Sequence, residues 1–413
     1  MPNAEATAGV PDKALLVDWG PRLVTYRSGG GKASGSPGWG RAVRWRSLLV
    51  GIGSVVVLLL GVLALFATAR PAPTTSARLT TLVVASVPFW NLAEGSGVVA
   101  ARTRTFNEVS PWIYGLSSQG QIVAQAPERA ADTTAAMHRL RSLSIPLIPT
   151  IANITHGHWA YSPVATMLGD LAAMNHHITD IVTLVNRESY AGIDIDYENL
   201  KATDRESFTT FVTRLGQALH AQHKILSVAL FAKTTDVGDN QRNVAQNYAA
   251  LGAAVDEARL MAYDYHWASS PPGPVAPISW VRDVLAYAKT QIAPEKIVLG
   301  IPVAGYDWVD GHGEPVTWQQ CFQRTTAFNT PVHYDGRDEA PWFRYTDTQG
   351  REHEVWFENA DSTKAKLEAA KVSGIRGVYL WMYGRADGRT WDQLPHILPA
   401  TAAPVSGTDI APR

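Results

Sequence analysis

The sequence predicts an α/β protein: a (β/α)8 TIM barrel with a small α+β insertion between strands seven and eight, preceded by one transmembrane helix. Three observations carry this. After residue 79, eight short apolar runs alternate with amphipathic helical stretches, the alternation that builds a parallel sheet wrapped in helices. Several of these runs are apolar at nearly every position, as strands covered on both faces should be. Ahead of them an uncharged, Leu- and Val-rich run covers 47–69, long enough to cross a bilayer as a helix.

Residues 1–46 hold Gly/Ser-rich stretches and more Lys and Arg than Asp and Glu. They read as flexible basic chain. Basic residues beside an apolar span stay in the cytoplasm. The expected protein is therefore single-pass in the cell membrane, with its N-terminus cytoplasmic and its bulk extracytoplasmic. Ala67-Thr68-Ala69 resembles a signal cleavage site, but the long leader and the length of the apolar run favour an uncleaved anchor. Residues 70–79, with Pro71 and Pro73, read as an extended linker.

The barrel is expected over 80–398, with strands at 82–87, 108–116, 146–152, 192–197, 225–231, 258–262, 296–301 and 377–381. Between them, 205–222 places Phe208, Phe211, Val212, Leu215 and Leu219 at helical spacing. Stretches 281–291 and 363–372 repeat that pattern. The longest gap, about 306–358, carries Tyr, Trp and turn residues, and reads as the insertion. Residues 399–413 are rich in Ala, Pro, Thr and Ser and read as a disordered tail.

Composition narrows the function classes. A formal net charge of -1 gives no reason to expect a nucleic-acid partner. The single cysteine, Cys321, allows no intramolecular disulfide and no thiolate metal cluster. No phosphate loop of the Gly-x4-Gly-Lys-Ser/Thr type occurs. A monomer without metal or cofactor is expected.

Chemistry concentrates in Tyr190-Ala191-Gly192-Ile193-Asp194-Ile195-Asp196-Tyr197-Glu198-Asn199. Asp194, Asp196 and Glu198 alternate with Ile193, Ile195 and Tyr197, so a strand shows three carboxylates on one face. Like charges crowded there repel, more so with burial. Glycoside hydrolysis needs carboxyl groups of unequal proton affinity, one to protonate a leaving oxygen and another to steady positive charge. A divalent-metal site or a solvated strand end fits the same triplet. Aromatic residues close the sixth strand (Tyr263, Tyr265, Trp267) and the eighth (Tyr379, Trp381). Such rings can stack on sugar C–H faces or simply fill core.

The chain resembles glycoside hydrolase family 18, the chitinase-like barrels, and is most similar to the bacterial cell-wall and spore-cortex glycosidases among them. The resemblance rests on the D-G-x-D-x-D-x-E strand motif at 191–198, Met261-Ala262-Tyr263-Asp264, Gly300-Ile301-Pro302 and Trp381. The motif's first acid is replaced by Ala191, which by parity lies off the carboxylate row. The resemblance implies an enzyme cleaving β-linked, N-acetylglucosamine-containing glycans, of peptidoglycan or chitin type, with retention. Glu198 would be general acid and base. Asp196 would orient the substrate's 2-acetamido group as internal nucleophile, and Asp194 would hold Asp196. Tyr263 would bond the acetamido carbonyl, Asp264 would contact the same sugar, and Trp381 would be its floor. The partner is thus an N-acetylated polysaccharide.

Further residues lie at strand ends. Asn153, His266, Trp90 and Tyr306 are candidate substrate contacts, with Phe89 and Trp308 beside the last two. His156 and His158 read as a polar loop, and His176-His177 as surface. Two rival functions are a catalytically weak or inactive glycan-binding barrel and a metal-dependent hydrolase or deacetylase. Turnover of a chito-oligosaccharide separates the first, and sensitivity to chelator the second.

Overall fold

The structure, a computed structural model, describes residues 81–399. The basic segment, the apolar run 47–69, the linker and all but the first residue of the tail lie outside them. Among the described residues no helix is long and apolar enough to cross a membrane.

Eight parallel strands close on themselves. They are β1 (Leu82–Pro88), β2 (Glu108–Leu116), β3 (Thr150–Ala152), β4 (Gly192–Asp196), β5 (Ile225–Phe231), β6 (Glu257–Met261), β7 (Ile297–Pro302) and β8 (Gly377–Trp381). Each pairs with the next, and β8 and β2 both pair with β1, which completes the barrel. One antiparallel strand, Ile122–Ala124, folds back on β2.

The third strand is shorter than 146–152. Pro146 and Pro149 have no N–H to give to the ladder. Their carbonyls nevertheless accept from Val109 N at 3.0 Å and Asp194 N at 2.9 Å, so the segment still runs within the sheet. β4 likewise ends at Asp196, which leaves Glu198 two residues beyond the strand.

Helices cover the outside. Arg205–His220 buries Phe208, Phe211, Val212, Leu215 and Leu219 completely against the strands. Truncating Phe211 to Ala there would cost about 3–5 kcal/mol. Leu171–Arg187 starts at Asp170, whose carboxylate accepts from Ala173 N at 2.7 Å. Its inward face includes His177, so the surface reading of that residue is corrected. His177 is buried, and its Nε2 meets the Tyr197 hydroxyl at 2.6 Å. Burial depresses its pKa to about 4.

Between β7 and β8 the chain builds a five-stranded antiparallel sheet in the order 312–317, 304–309, 352–356, 340–346, 333–335. Helix Trp318–Ala327 packs on it over a small core of Val316, Cys321, Phe343, Val355 and Phe357. Cys321 is a buried hydrophobe there.

Candidate active site

β4 divides its side chains as its alternation demands. Tyr197 faces the helices, stacking on Phe211 with ring centroids 5.8 Å apart. Asp194, Asp196 and Glu198 face inward, and each is at most 9% exposed.

The deepest, Asp194, is held by donors. Thr150 Oγ1 donates to its Oδ2 at 2.8 Å and Ser227 Oγ to its Oδ1 at 2.6 Å. Arg259 Nη1 stands 3.6 Å from Oδ2. Arg259 is itself buried, bonded to Glu108, to Glu257 at 3.0 Å and to Ser110 Oγ at 2.7 Å. A polar layer therefore fills the barrel under the carboxylate row, where aliphatic side chains are the rule.

Asp196 is higher and less satisfied. Its Oδ1 is buried without a hydrogen-bond partner among the described residues. Burial, then the charge of Asp194, push its carboxyl up to about 8. The indole N–H of Trp112 lies beyond hydrogen-bond reach of any described residue, yet close enough to oppose part of that rise.

Glu198 lines the cleft. Its Oε1 is also buried without a partner among the described residues. Burial pushes its pKa well above the carboxylate range, helped by Asp196 and Asp264 and opposed by Arg242. A cleft carboxyl whose hold on its proton is strengthened by burial can serve as a general acid.

β6 supplies the opposite wall. Tyr263 shares a hydrogen bond of 3.0 Å with the Tyr379 hydroxyl. Gly300 on β7 makes room for that tyrosine, because a Cβ there would lie 2.5 Å from its hydroxyl. Asp264 turns left-handed at φ 57°, a conformation aspartate tolerates. Its Oδ1 accepts from the Tyr306 hydroxyl at 3.0 Å, and burial lifts its pKa to about 6. At the end of β8, half-buried Trp381 meets the edges of Trp90 and Trp112, with centroids at 5.9 and 5.6 Å.

The structure thus gathers Glu198, Tyr263 and Asp264 along one cleft, with Asp196 and Asp194 below Glu198 on the same face and Tyr306 bonded to Asp264. Trp90 joins Trp381 in an aromatic cluster. Two strand-end residues do something else. Asn153 is fully buried and its amide is spent on the backbone of Ala160 and Glu198. His266 turns Nδ1 to the Pro271 carbonyl at 2.9 Å and lays its ring over Gly273, where a Cβ would collide with it at 2.4 Å. Trp267, not His266, lines the cleft. His156 and His158 are exposed on a hairpin, 154–159.

Sequence reasoning missed Arg259, Trp112 and Arg242. Arg259 had a signal, a charge inside an apolar run. Arg242 had none, since it sits in a polar loop that turn chemistry already explains.

Comparison with known proteins agrees with this geometry. The model of glycosyl hydrolases family 18 matches residues 70–386. The chain belongs to that family. Among similar proteins, the putative sporulation-specific glycosylase YdhD of Bacillus subtilis is 32% identical over 67% of this chain and 65% of its own length. A cortical fragment-lytic enzyme of Bacillus subtilis is 32% identical over 69% of this chain and 68% of that protein. Among solved structures, a chitinase from Chromobacterium violaceum superposes with TM-score 0.72 at 28% identity, covering 77% of this chain and 99% of that one. The Bacillus cereus spore cortex-lytic enzyme SleL gives 0.71 at 25% identity, covering 79% and 76%. The chain spans about two thirds of the length of the first of these relatives.

Proposed function

We propose that the protein is a retaining, substrate-assisted glycosidase acting on β-linked, N-acetylglucosamine-containing glycans of peptidoglycan or chitin type. The observation that carries this reading is Glu198: a cleft carboxyl, 2% exposed, whose burial favours the protonated form.

In the first step the Glu198 proton passes to the glycosidic oxygen as its bond to the anomeric carbon breaks. The substrate's own acetamido oxygen closes on that carbon from the other face, giving a cyclic oxazolinium ion. Asp196 accepts a hydrogen bond from the acetamido N–H, and its carbonyl dipole steadies the positive charge that develops there. Tyr263 donates to the acetamido oxygen before attack. Asp194, anchored by Thr150, Ser227 and Arg259, keeps Asp196 in place. Trp381 is the floor of the sugar site, with Trp90 against its edge. In the second step Glu198, now a carboxylate in a dry setting, takes a proton from water. The water opens the ring from the first face, and two inversions give net retention.

The apolar run 47–69 and its basic leader support an extracytoplasmic, membrane-anchored form, which we propose to be a monomer. Protease accessibility on intact cells and sedimentation of the full chain check these points.

The central test is Glu198→Gln. Turnover of an N-acetylated oligosaccharide should fall by about 10²–10⁴-fold, while calorimetry still detects binding. Normal turnover in that variant would remove Glu198 from the role. A wild-type chain that binds chito-oligosaccharides and peptidoglycan strands but cleaves neither would be the glycan-binding barrel instead.

A further inference from the structure

Arg242 is a cleft residue that the chemistry above leaves unused, as it does Asp239 and Trp280 of the same lining. It sits on the short helix Gln241–Ala245 after β5 and lines the cleft with Glu198 and Asp264. Its guanidinium stacks on Phe231, 4.1 Å from the ring centroid. It makes no ion pair or side-chain hydrogen bond among the described residues, and its Nε is buried.

The loop that carries it is built to hold still. Lys233 is 1% exposed and donates Nζ to the carbonyls of Asp236 at 2.9 Å, Asn243 at 3.2 Å and Gln246 at 2.7 Å. Arg205 grips the Asp236 carboxylate with two bonds of 3.0 Å. A guanidinium fixed in advance loses little freedom when a ligand arrives.

Its charge is also costly to the reaction. Arg242 lowers the proton affinity of Glu198, which has to keep its proton. A neutral glycan offers that cation only hydroxyl and amide oxygens, which an uncharged donor would serve without lowering the proton affinity of Glu198. In a β-1,4 glycan the oxygen that Glu198 protonates is O4 of the leaving sugar. A substituent on the adjacent O3 falls beside the general acid. In N-acetylmuramic acid that substituent is a lactyl ether ending in a carboxylate, the group an arginine fork binds in bidentate fashion.

Resting on the glycosidase reading, we propose that Arg242 is a specificity residue that binds a carboxylate carried on O3 of the leaving sugar. The preferred substrate is then a strand alternating N-acetylglucosamine with a carboxylated amino sugar, in place of a neutral chitin-type polymer.

The test uses the full chain and a matched pair of tetrasaccharides. One alternates N-acetylglucosamine and N-acetylmuramic acid without peptide; the other is the same molecule with each lactyl carboxylate reduced to the alcohol. The wild type should favour the carboxylated member in kcat/KM by about ten- to a hundredfold. In Arg242→Gln that ratio should collapse toward one, mainly through KM, and Arg242→Lys should fall between. Both substrates meet the same Glu198, so the ratio is blind to any change in its proton affinity. Equal rates on the pair in the wild type, or an unchanged ratio in Arg242→Gln, would overturn the proposal. Should Arg242→Gln fail to fold, the wild-type ratio and Arg242→Lys still decide. Cleavage of the pair at equal rates leaves the glycosidase reading standing, whereas cleavage of neither, nor of chitotetraose, removes that reading as well.

Discussion

The Asn153 side chain grips the backbone of Glu198 from both sides. Asn153 Oδ1 accepts from Glu198 N at 2.8 Å, and Asn153 Nδ2 donates to Glu198 O at 2.9 Å. Glu198 lies beyond the end of β4, so no ladder holds its main chain. Asn153→Ala leaves two buried backbone groups unmatched, at a cost of about 1–3 kcal/mol each. A carboxyl freed to drift should lose up to about 10²-fold in kcat, with KM little altered. Urea denaturation and steady-state kinetics check both numbers. Wild-type kcat in a destabilised variant would reduce the clamp to a purely structural role.

Asp264 is the nearest handle on the pH profile. Its negative charge raises the proton affinity of Glu198, and with its own pKa at about 6 it is ionised at neutral pH. Asp264→Asn removes that charge, so Glu198 releases its proton at a lower pH. The alkaline limb of kcat/KM, which reports the acid in the free enzyme, should move toward acid. A limb that stays put or moves the other way contradicts the assignment.

Stability should carry the mark of Asp196. An ordinary aspartate loses its proton near 3.8, whereas in the folded chain Asp196 holds it to about 8. Below the lower value folded and unfolded chains are both protonated and no penalty arises. Between the two values folding takes up a proton, so stability drains away as pH rises, and above about 8 the loss is constant. Asp196→Asn escapes it. Its gain should appear above about pH 4, grow until about pH 8 and then level at a few kcal/mol. Denaturation at several pH values tests this, and a gain independent of pH would refute it. The same variant should lose activity, the usual bargain at a reactive site.

Under the row, Arg259 is the cation that Glu108, Glu257 and Asp194 share. Arg259→Met would leave those acids buried together without it. A loss of about 3–5 kcal/mol is expected, read from the denaturation midpoint. Glu108 already sits well above the carboxylate range because of burial and Glu257, so the variant should recover part of the loss at acid pH. Full stability at neutral pH would show that the acids disperse their charge some other way.

The carboxylate row was legible because a strand's period of two is a local property: Asp194, Asp196 and Glu198 share a face wherever β4 goes. The aromatic strand ends and the barrel order followed from similarly local patterns. What Arg259 touches was not local. It meets Ser110 across 149 positions of sequence, and only closure of the barrel brings β6 opposite β2. Asn153 was picked out for its place at a strand end, but its grip on Glu198 was not local, since the 45 positions between them are bridged by the pairing of β3 with β4. The prolines that shorten β3 stood in plain view, but that their carbonyls still complete the sheet depends on partners from two other strands.

The insertion leaves β7 after a single residue, Val303, and its first strand brings the Tyr306 hydroxyl onto Asp264. A segment that could be trimmed without opening the barrel has therefore become a wall of the reaction chamber. A descendant that shortened it would strand a half-buried acid in a left-handed turn. Loop length and the residue after Tyr263 are tied together, so a graft of this barrel onto another scaffold must carry both or neither.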